Sequence, residues 1–382
     1  MSTEYESPWM TDATRAFRGT VRRFIETELV PRQARWREQR HADPEAWIQA
    51  GEAGLLLTGV PAEYGGGGRT FAFEAVVLEE LARAGVHFGV SIQNIVARYV
   101  LAHGSEPQKR AWLPRLARGE VAAAVAMTEP AAGSDLQGIR TVASREGDEY
   151  VITGSKTLIT NGWLAGLVCL AAKTDPTAPG PRGISLLLVE TRGLAGFRAG
   201  RPLEKVGRHG QDVCELFFDG ARVPASCLLG PAPGKGFFQM MDQLPYERLA
   251  VAVAAAATTE RAVELTTRHV KDRTAFGKPL LELQNTRMKL AECATEARVG
   301  RVFLDGCIQR HLAGRLDPVT AAMAKYWLTE REFHVVDECV QLHGGCGYLA
   351  ESPVARMWAD CRAERIFAGA NEVMKEMIAW SL

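Results

Sequence analysis

The chain has 382 residues, which is enough for two or three domains around a large buried core. Its 45 Lys and Arg residues balance 45 Asp and Glu residues, so no basic excess predicts binding to nucleic acid or to an anionic membrane. No uncharged run reaches membrane-spanning length, and the acidic N-terminus lacks the apolar core of a signal peptide. The eight cysteines show neither a Cys-x-x-Cys pair nor metal-ligand spacing, which predicts reduced thiols, no bound metal and a cytoplasmic location.

Residues 1–121 have the pattern of a helical domain. Between Thr11 and Val30, apolar residues recur at every fourth position of a charged segment, which predicts a helix that ends or kinks at Pro31. The pair Asp43-Pro44 predicts the start of a second helix, with Asp43 as its N-cap. Two further helical patterns follow, over Phe71–Ala84 and Ile92–Ala102.

Four consecutive glycines, Gly65 to Gly68, interrupt these helices. Such a run is able to cradle a phosphate, but no Lys-Ser or Lys-Thr pair follows it, so a P-loop is excluded. A flexible turn is the interpretation that the sequence favours.

Residues 122–232 have the composition of a small β-domain, either a barrel or a sandwich. Short runs rich in β-branched and aromatic residues alternate with turns that contain Gly and Pro. The predicted strands include Tyr150–Thr153, Leu167–Ala172, Ile184–Val189 and Glu215–Phe218.

Residues 233–382 return to helices, which are longer than those of the first domain. Pro245–Arg273 and Leu281–Val299 contain no interior Pro or Gly, and Asp317-Pro318 starts a helix that runs to about Leu342. Long helices with short connections predict an antiparallel bundle. The predicted fold class is therefore mainly α, with a β-domain between two helical domains.

The β-domain contains two segments suited to contact a flat polar ring or a phosphate. The first, Ala126 to Asp135, leaves an apolar run at Glu129-Pro130 and continues with small and polar residues, whose backbone N–H groups a ligand can approach closely. The second, Lys156 to Gly162, has the pattern of a strand followed by a turn. Either segment alone is better explained as a strand-to-turn junction without a ligand.

Together the two segments resemble the acyl-CoA dehydrogenase family, in which Thr-Glu-Pro-x-Ala-Gly-Ser-Asp is followed by Lys-x-x-Ile-Thr-Asn-Gly. The resemblance extends over essentially the whole chain, and it implies a middle β-barrel, a C-terminal four-helix bundle and FAD as the cofactor. Thr160 would lie near flavin N5, and Ser134 would reach both FAD and acyl-CoA. The residues implied around the flavin are Met127, Thr128, Gly133, Ser134, Leu158, Ile159 and Thr160.

Glu247 admits two interpretations. In the first, Pro245 is the first residue of a helix and Glu247 is its third, stabilised by the helix dipole; spacing alone slightly favours this interpretation. In the second, Glu247 is a catalytic base. The resemblance favours the second, because Ala368 occupies the usual base position near the C-terminus. The long-chain and isovaleryl branches instead place a glutamate before the arginine of a segment like Pro245-Tyr246-Glu247-Arg248.

The resemblance implies α,β-dehydrogenation of an acyl-CoA thioester to a trans-2-enoyl-CoA, a step of fatty acid β-oxidation. Glu247 would remove the pro-R α-proton, and burial is expected to raise its pKa toward the working range. The main-chain N–H of Ala368 and a ribityl hydroxyl of FAD would polarise the thioester carbonyl. The implied contacts with acyl-CoA are Ser134, Phe238, Pro245, Tyr246, Arg248, Ala368 and Gly369, with Arg182 as a weaker candidate.

Further segments resemble the family's contacts with the rest of FAD. Arg273 and Phe276 lie in an Arg-x-x-Phe-Gly pattern, and Arg273 would contact the FAD diphosphate of a neighbouring subunit. Such sharing implies an obligate oligomer, in this family usually a homotetramer built as a dimer of dimers. Each residue alone has an ordinary explanation, such as a helix end, but their order along one chain favours the cofactor. The implied set is Arg273, Phe276, Gln284, Gln341, Gly344, Gly345, Ala370, Asn371 and Glu372.

The resemblance implies an electron-transfer flavoprotein as the acceptor, although Leu158 occupies a position where the family typically has an aromatic residue linked with electron transfer. Two alternatives stay open on the same fold. One is a dehydrogenase of acyl groups bound to a carrier protein, and the other is a flavin oxidase or monooxygenase. A third class is a silent flavoprotein, in which Glu247 is only structural.

Overall fold

In the computed structural model, which describes residues 5–382, helices come first, then strands, then helices again. This order confirms the predicted fold class. The N-terminal helices are α1 (Asp12–Phe24), α2 (Gln33–Gln39), α3 (Pro44–Glu52), α4 (Phe71–Ala84), α5 (Val90–His103) and α6 (Glu106–Ala117).

Pro31 interrupts the first predicted helix without ending its helical course. After α1, a π-helical turn over Ile25–Leu29 and a 3₁₀ turn over Val30–Arg32 lead directly into α2. Proline lacks a backbone N–H, so it is accommodated where regular α-helical hydrogen bonding is already interrupted.

The helix predicted at Asp43-Pro44 is confirmed as α3, with Asp43 at the N-cap position and Pro44 as the first helical residue, but the Asp43 side chain does not cap the helix. Its carboxylate accepts hydrogen bonds from Trp36 Nε1 at 2.8 Å and from Gln39 Nε2 at 2.9 Å instead of from the amides of α3. A buried tryptophan N–H needs a partner, and Asp43 supplies it.

Seven strands between the two helical parts form one mixed sheet. Its order is β6-β7-β3-β2-β4, with β1 parallel and β5 antiparallel to β4. Each predicted strand is found within a strand of this sheet. The strands are β1 (Ala122–Ala126), β2 (Val142–Glu146), β3 (Glu149–Thr160), β4 (Ala165–Lys173), β5 (Ile184–Glu190), β6 (Phe197–Ala199) and β7 (Val213–Pro224).

The C-terminal part is dominated by three long helices. The first of them, α7, begins at Gly236, well before Pro245, so the interpretation of Glu247 as a helix-start residue is wrong. Pro245 lies inside α7 and Glu247 follows in its interior. The elements are α7 (Gly236–Asp272), β8 (Thr274–Ala275), β9 (Lys278–Pro279), α8 (Gln284–Leu312), α9 (Pro318–His343), α10 (Pro353–Cys361) and α11 (Asn371–Ala379).

One hydrophobic core extends from the N-terminal helices through α7 to one face of the sheet, and a second core lies on the other face. Leu249, Val253 and Ala256 of α7 are buried in the first core. The long helix therefore packs against both other parts of the protein. All eight cysteines are free thiols, and all but Cys346 are buried, as predicted.

The segment Gly65 to Gly68 is not the flexible turn that the sequence favours. The amides of Gly67 and Gly68 donate to the carbonyls of Leu57 and Val60, at 3.1 and 2.8 Å. A Cβ on Gly66 would lie 2.3 Å from the carbonyl oxygen of Val60. The glycines permit this close backbone packing, and the bonded amides are not free to bind a phosphate.

A glycine pair tests this packing. We expect Gly66→Ala to destabilise the protein, because the new Cβ overlaps backbone atoms that cannot rotate away. Gly19→Ala, in exposed α1 with no atom within 4 Å, should stabilise it by about 0.5–1 kcal/mol through helix propensity. Thermal unfolding of both variants is the measurement, and opposite signs are expected. A Gly66→Ala protein as stable as the parent would contradict the packing argument.

Candidate active site

A cavity of about 200 Å³ lies where α4, α5 and α7 meet the end of β3. Thr160 from β3, Glu247 from α7 and Ala368 from the loop before α11 line one part of it. Most of the remaining wall is apolar. The apolar lining comprises Leu78, Leu81, Ala82, Val86, Phe88, Val90, Ile92, Ile95, Ala250, Val251, Ala254 and Phe367.

Glu247 is the ionisable group at the centre of this site. Its side chain is buried, and burial raises its pKa to about 7, against weaker opposing effects of Tyr99 and Arg248. The hydroxyl of Tyr99 on α5 donates a 2.9 Å hydrogen bond to Glu247 Oε1. A carboxyl with this pKa is able to exchange a proton near neutral pH.

The two polar segments of the β-domain are joined by a buried ion pair. Lys156 Nζ donates to Glu129 Oε1 at 2.8 Å and to the carbonyl of Met127 at 2.9 Å. The amide of Thr157 donates to the carbonyl of Thr128 at 3.0 Å. Thr128 is thereby fixed beside the strand that carries Thr160.

Glu129 and Lys156 both remain charged. Burial opposes ionisation of Glu129, but hydrogen bonds from Lys156 and from the amides of Arg140 and Thr141 lower its pKa below the ordinary value. Burial lowers the pKa of Lys156 to about 8, which leaves the ammonium protonated at neutral pH. The pair is therefore an ionised, internally satisfied link.

Asn161, at the turn after β3, ties the β-domain to the wall of the cavity. Its Nδ2 donates to the carbonyls of Gly89 and Ala123, each at 3.1 Å. Gly89 precedes α5 with φ of 79°, and a Cβ there would lie 2.0 Å from Asn161 Oδ1. Only glycine fits this contact, which fixes the start of α5 relative to Thr160.

The structure exposes some of the predicted flavin residues and buries others. A bulge between Lys156 and Ile159 gives Leu158 a φ of 57° and leaves its side chain 62% exposed. Ile159 is buried in the core, so its side chain is not available to a ligand. Met127, Thr128 and Thr160 are half-buried, and Gly133 and Ser134 are exposed.

The loop that carries Ala368 is strained and anchored. Ala368 has φ of 53° and Gly369 has φ of 89°. Lys325, fully buried on α9, donates to the carbonyl of Gly369 at 2.7 Å and to Asn371 Oδ1 at 2.9 Å. Among residues 5–382, the N–H of Ala368 has no hydrogen-bond partner. This donor lies in the cavity wall, where a carbonyl oxygen of a ligand would satisfy it.

The other predicted FAD contacts lie at the far end of the bundle. The rings of His269 on α7 and His343 on α9 stack at 4.2 Å, so the ends of these two helices are adjacent. Phe276, at the tip of the β8–β9 hairpin, is 92% exposed. The remaining predicted residues here are all exposed: Arg273, Gln284, Gln341, Gly344 and Gly345.

The predicted substrate contacts fall into two groups. Phe238, Arg182 and Ser134 form the exposed group. Gly234, just before α7, packs against the carbonyl of Arg182, so the loop that carries Arg182 lies beside the start of α7. Pro245 is half-buried, whereas Tyr246 is buried and its hydroxyl donates to Glu74 rather than into the cavity.

Arg248 is also buried, with Nη2 near Gly369. Its Nε is buried without a hydrogen-bond partner among the described residues. Among residues 5–382, a second unpaired donor is the N–H of Ala368, the residue that precedes Gly369. Next to Ala368, Ala370 is half-buried, Asn371 is buried, and Glu372 is exposed. Unsatisfied donors beside a polar edge fit a cofactor with carbonyl and hydroxyl oxygens, as FAD has.

A helical, β and helical framework, with a buried carboxyl in the same cavity as Thr160 and Ala368, fits a flavin-dependent oxidoreductase acting on a CH–CH bond. The chain belongs to the acyl-CoA dehydrogenase family. Models of the family's N-terminal, middle and C-terminal domains match residues 11–120, 124–221 and 234–382. The resemblance, the FAD dependence and the acyl-CoA dehydrogenase activity predicted from the sequence are thereby confirmed.

Relatives and solved structures agree. The mitochondrial long-chain specific acyl-CoA dehydrogenase of Sus scrofa is 44% identical over 95% of this chain and 85% of its own length. A crystal structure of an acyl-CoA dehydrogenase from Geobacillus kaustophilus is 45% identical, with a TM-score of 0.96, over 98% of this chain and 99% of that one. A glutaryl-CoA dehydrogenase from Mycobacterium smegmatis, in complex with FADH₂, is 28% identical with a TM-score of 0.91, over 97% and 95%.

Within residues 5–382, no helix is both long and apolar enough to cross a bilayer. The cytoplasmic location stays a prediction from the sequence, and the similar long-chain enzymes of pig, mouse and rat are named as mitochondrial.

Two residues that the sequence interpretation missed contact the predicted site. Tyr99 donates to Glu247 from a helix that is distant in sequence, and no local pattern marks it. Lys325 offers a signal, because it is a single cation within the apolar run Ala321 to Leu328. A charge in such a run is rarely buried without a specific partner.

We expect Lys156→Met to destabilise the protein by about 3–5 kcal/mol, because it leaves the Glu129 carboxylate buried without its cation. The double variant Lys156→Met/Glu129→Gln should recover a large part of that loss. Thermal unfolding together with the FAD content of the purified protein measures both effects. Equal stability of the single and double variants would contradict an ionised pair.

Proposed function

We propose that Glu247 is the general base of this acyl-CoA dehydrogenase and removes the pro-R α-proton of the bound thioester. The observation that carries this proposal is the position of its buried carboxyl, in the same cavity as Thr160 and Ala368. Burial raises the pKa of Glu247 to about 7, which makes the carboxylate a stronger base than an exposed glutamate while it is still ionised near neutral pH.

The α-proton of a thioester is a very weak acid, so the carbonyl must be polarised while the proton leaves. The free N–H of Ala368 is the donor that this chain offers for the carbonyl oxygen. Lys325 fixes the carbonyl of the next residue, Gly369, and thereby the orientation of the loop. Because the donor is a main-chain group, an alanine side chain at this position does not remove it.

When bound, FAD would supply the hydride acceptor at its N5 atom. The residues that would hold the flavin are the exposed and half-buried ones of the two polar segments and of the loop before α11: Met127, Thr128, Gly133, Ser134, Leu158, Thr160, Ala370 and Glu372. The buried Ile159 and Asn371 would support this surface from beneath. Thr160 is the one of them that also lines the cavity with Glu247.

The substrate class that the cavity supports is a straight acyl chain of medium to long length. On α7, small and apolar residues line the cavity from Glu247 to Thr258, which spans about 16 Å at 1.5 Å per residue. At about 1.3 Å per carbon, that length accommodates a chain of roughly twelve carbons beyond the reacting atoms. The apolar walls favour methylene groups over polar substituents.

A homotetramer is the assembly that we propose, because one chain cannot complete the FAD site alone. Glu247 and Asp272, at the end of α7, are about 37 Å apart along the helix. One FAD bound beside Glu247 does not span that distance to reach Arg273, Phe276 or the segment around Gly344 of the same chain. Those exposed residues would serve the FAD of a neighbouring subunit.

An electron-transfer flavoprotein is the acceptor that we propose, since the reduced flavin must pass on its electrons.

We expect Glu247→Gln to lower kcat by about 10²–10⁴-fold with little loss of FAD, because the amide cannot accept the α-proton. Tyr99 is still able to donate to the Gln side-chain oxygen, so the fold should be kept. Anaerobic reduction of the flavin by a saturated acyl-CoA, followed by absorbance, is the measurement. Wild-type rates of reduction in Glu247→Gln would overturn the proposed base.

Ala254→Phe tests the chain-length class. Ala254 lies about 10 Å along α7 from Glu247, so a phenyl ring there should block chains longer than about eight carbons. We expect kcat/KM for tetradecanoyl-CoA to fall tenfold or more, because the phenyl ring and the acyl chain would compete for the same part of the cavity. Activity with butanoyl-CoA is the internal control and should change little. An equal loss for both substrates would indicate general damage and contradict the assignment of the cavity to the acyl chain.

A further inference from the structure

We propose that Tyr99 is a positioning residue for the reaction: it binds Oε1 of Glu247 and leaves Oε2 as the oxygen that takes the α-proton. This inference rests on the proposed role of Glu247 as the base. Tyr99 is fully buried on α5, and its hydroxyl lies 2.9 Å from Glu247 Oε1. Tyr99 itself does not line the cavity, so its contact with the substrate is only through Glu247.

The second oxygen of Glu247 is the one that meets the substrate. Among residues 5–382, Tyr99 is the only hydrogen-bond donor recorded to the Glu247 side chain, and it binds Oε1. Oε2 is not among the buried atoms without a partner, and Glu247 lines the cavity, so Oε2 retains access to it. A carboxylate with one bound oxygen has fewer orientations to lose when the reaction begins.

Helices α5 and α7 contact each other through two consecutive residues on each helix. Arg98, the neighbour of Tyr99, lies over the ring of Tyr246, the neighbour of Glu247, at 4.0 Å. The hydroxyl of Tyr246 in turn donates to Glu74 on α4, which also accepts from Asn94 at 2.9 Å. Two consecutive cross-helix pairs thus fix α5 against α7, and the hydrogen bond to Glu247 does not depend on a flexible segment.

The tyrosine also sets the basicity of the carboxylate. Burial and the nearby Glu247 charge raise the pKa of Tyr99 well above its ordinary value, so the phenol stays a donor over the working pH range. A hydrogen bond to the ionised form of Glu247 lowers its pKa, and loss of that bond must raise it. The other titratable groups around Glu247 and Tyr99 are Tyr246, Arg248 and Asp242 on α7 and Cys169 on β4, with Arg208, Glu364 and His87 in the cavity wall.

The test compares the pH dependence of flavin reduction in single-turnover mixing with dodecanoyl-CoA. In the parent holoenzyme the rate should fall as the pH drops through the pKa of Glu247, because the protonated carboxyl cannot accept the α-proton. Tyr99→Phe should move this acidic limb upward by about one pH unit and slow reduction several-fold at pH 7. KM should change little, and a several-fold lower rate should persist at high pH, where both carboxylates are ionised, because the carboxylate of the variant is no longer oriented.

A matched control is available elsewhere in the protein. Tyr64 also donates to a glutamate, Glu106, at 2.8 Å, but it lies away from the cavity. Tyr64→Phe should leave the pH profile of flavin reduction unchanged. If Tyr99→Phe does not accumulate as holoenzyme, the parent with 3-fluorotyrosine incorporated, a stronger donor of similar shape, should shift the limb to lower pH.

Superimposable pH profiles of the parent and Tyr99→Phe would overturn the role of Tyr99, as would an unshifted limb in the fluorotyrosine protein. Glu247→Gln separates this failure from failure of the base itself. If Glu247→Gln is inactive and Tyr99→Phe has the parental profile, only the positioning role is wrong. If Glu247→Gln reduces its flavin at the parental rate, the proposed base is wrong.

Discussion

The buried ion pair between Lys156 and Glu129 joins the two chain segments on which the active site is built. Lys156 also donates to the carbonyl of Met127, so a single ammonium bridges the end of β1 and the course of β3. Charges in a protein interior are tolerated only when their partners are complete, and here two backbone amides complete the carboxylate. Thr128 and Thr160 therefore have fixed relative positions before any ligand binds.

Two buried carboxyls of this protein differ in ionisation because their partners differ. Glu129 has a lysine and two amides, and these keep its pKa low although burial opposes ionisation. Glu247 has one phenol and an adjacent arginine, and burial raises its pKa to about 7. The first carboxylate suits a permanent structural link, and the second suits a group that must gain and lose a proton.

The long helix α7 packs against both the N-terminal helices and the β-sheet. It carries Glu247 and several residues that line the same cavity, and it ends beside α9 at the exposed residues proposed to serve another subunit. Pro245 lies within this helix, one turn before the small residues that open the cavity. A rigid helix of this length keeps Glu247 and the exposed residues at its far end at a constant separation, which is the basis for the proposal that one FAD needs two chains.

Much of this protein follows from sequence alone, since periodicity and turn residues are local properties. The order of helical, β and helical parts, the family, FAD and the candidate Glu247 were all predictable, because the motifs are contiguous and the patterns are long. Local patterns failed where contacts from distant segments decided the outcome. The sequence around Pro245 is typical of a helix start. The packing of α7 against the core nevertheless extends the helix back to Gly236. The side chain of Asp43 accepts from Trp36 instead of capping α3, and the backbone of Val60 leaves no room for a Cβ at Gly66.

The tertiary structure alone decided the environment of Glu247, the proposed base. Tyr99 and Glu247 are far apart in the sequence and meet only because α5 packs on α7. Lys325 reaches the loop of Gly369 from another helix in the same way. The sequence determined which chemical groups are available and which family they belong to. Burial and long-range hydrogen bonds, which depend on the whole fold, decided the pKa of Glu247 and the depth of the cavity beside it.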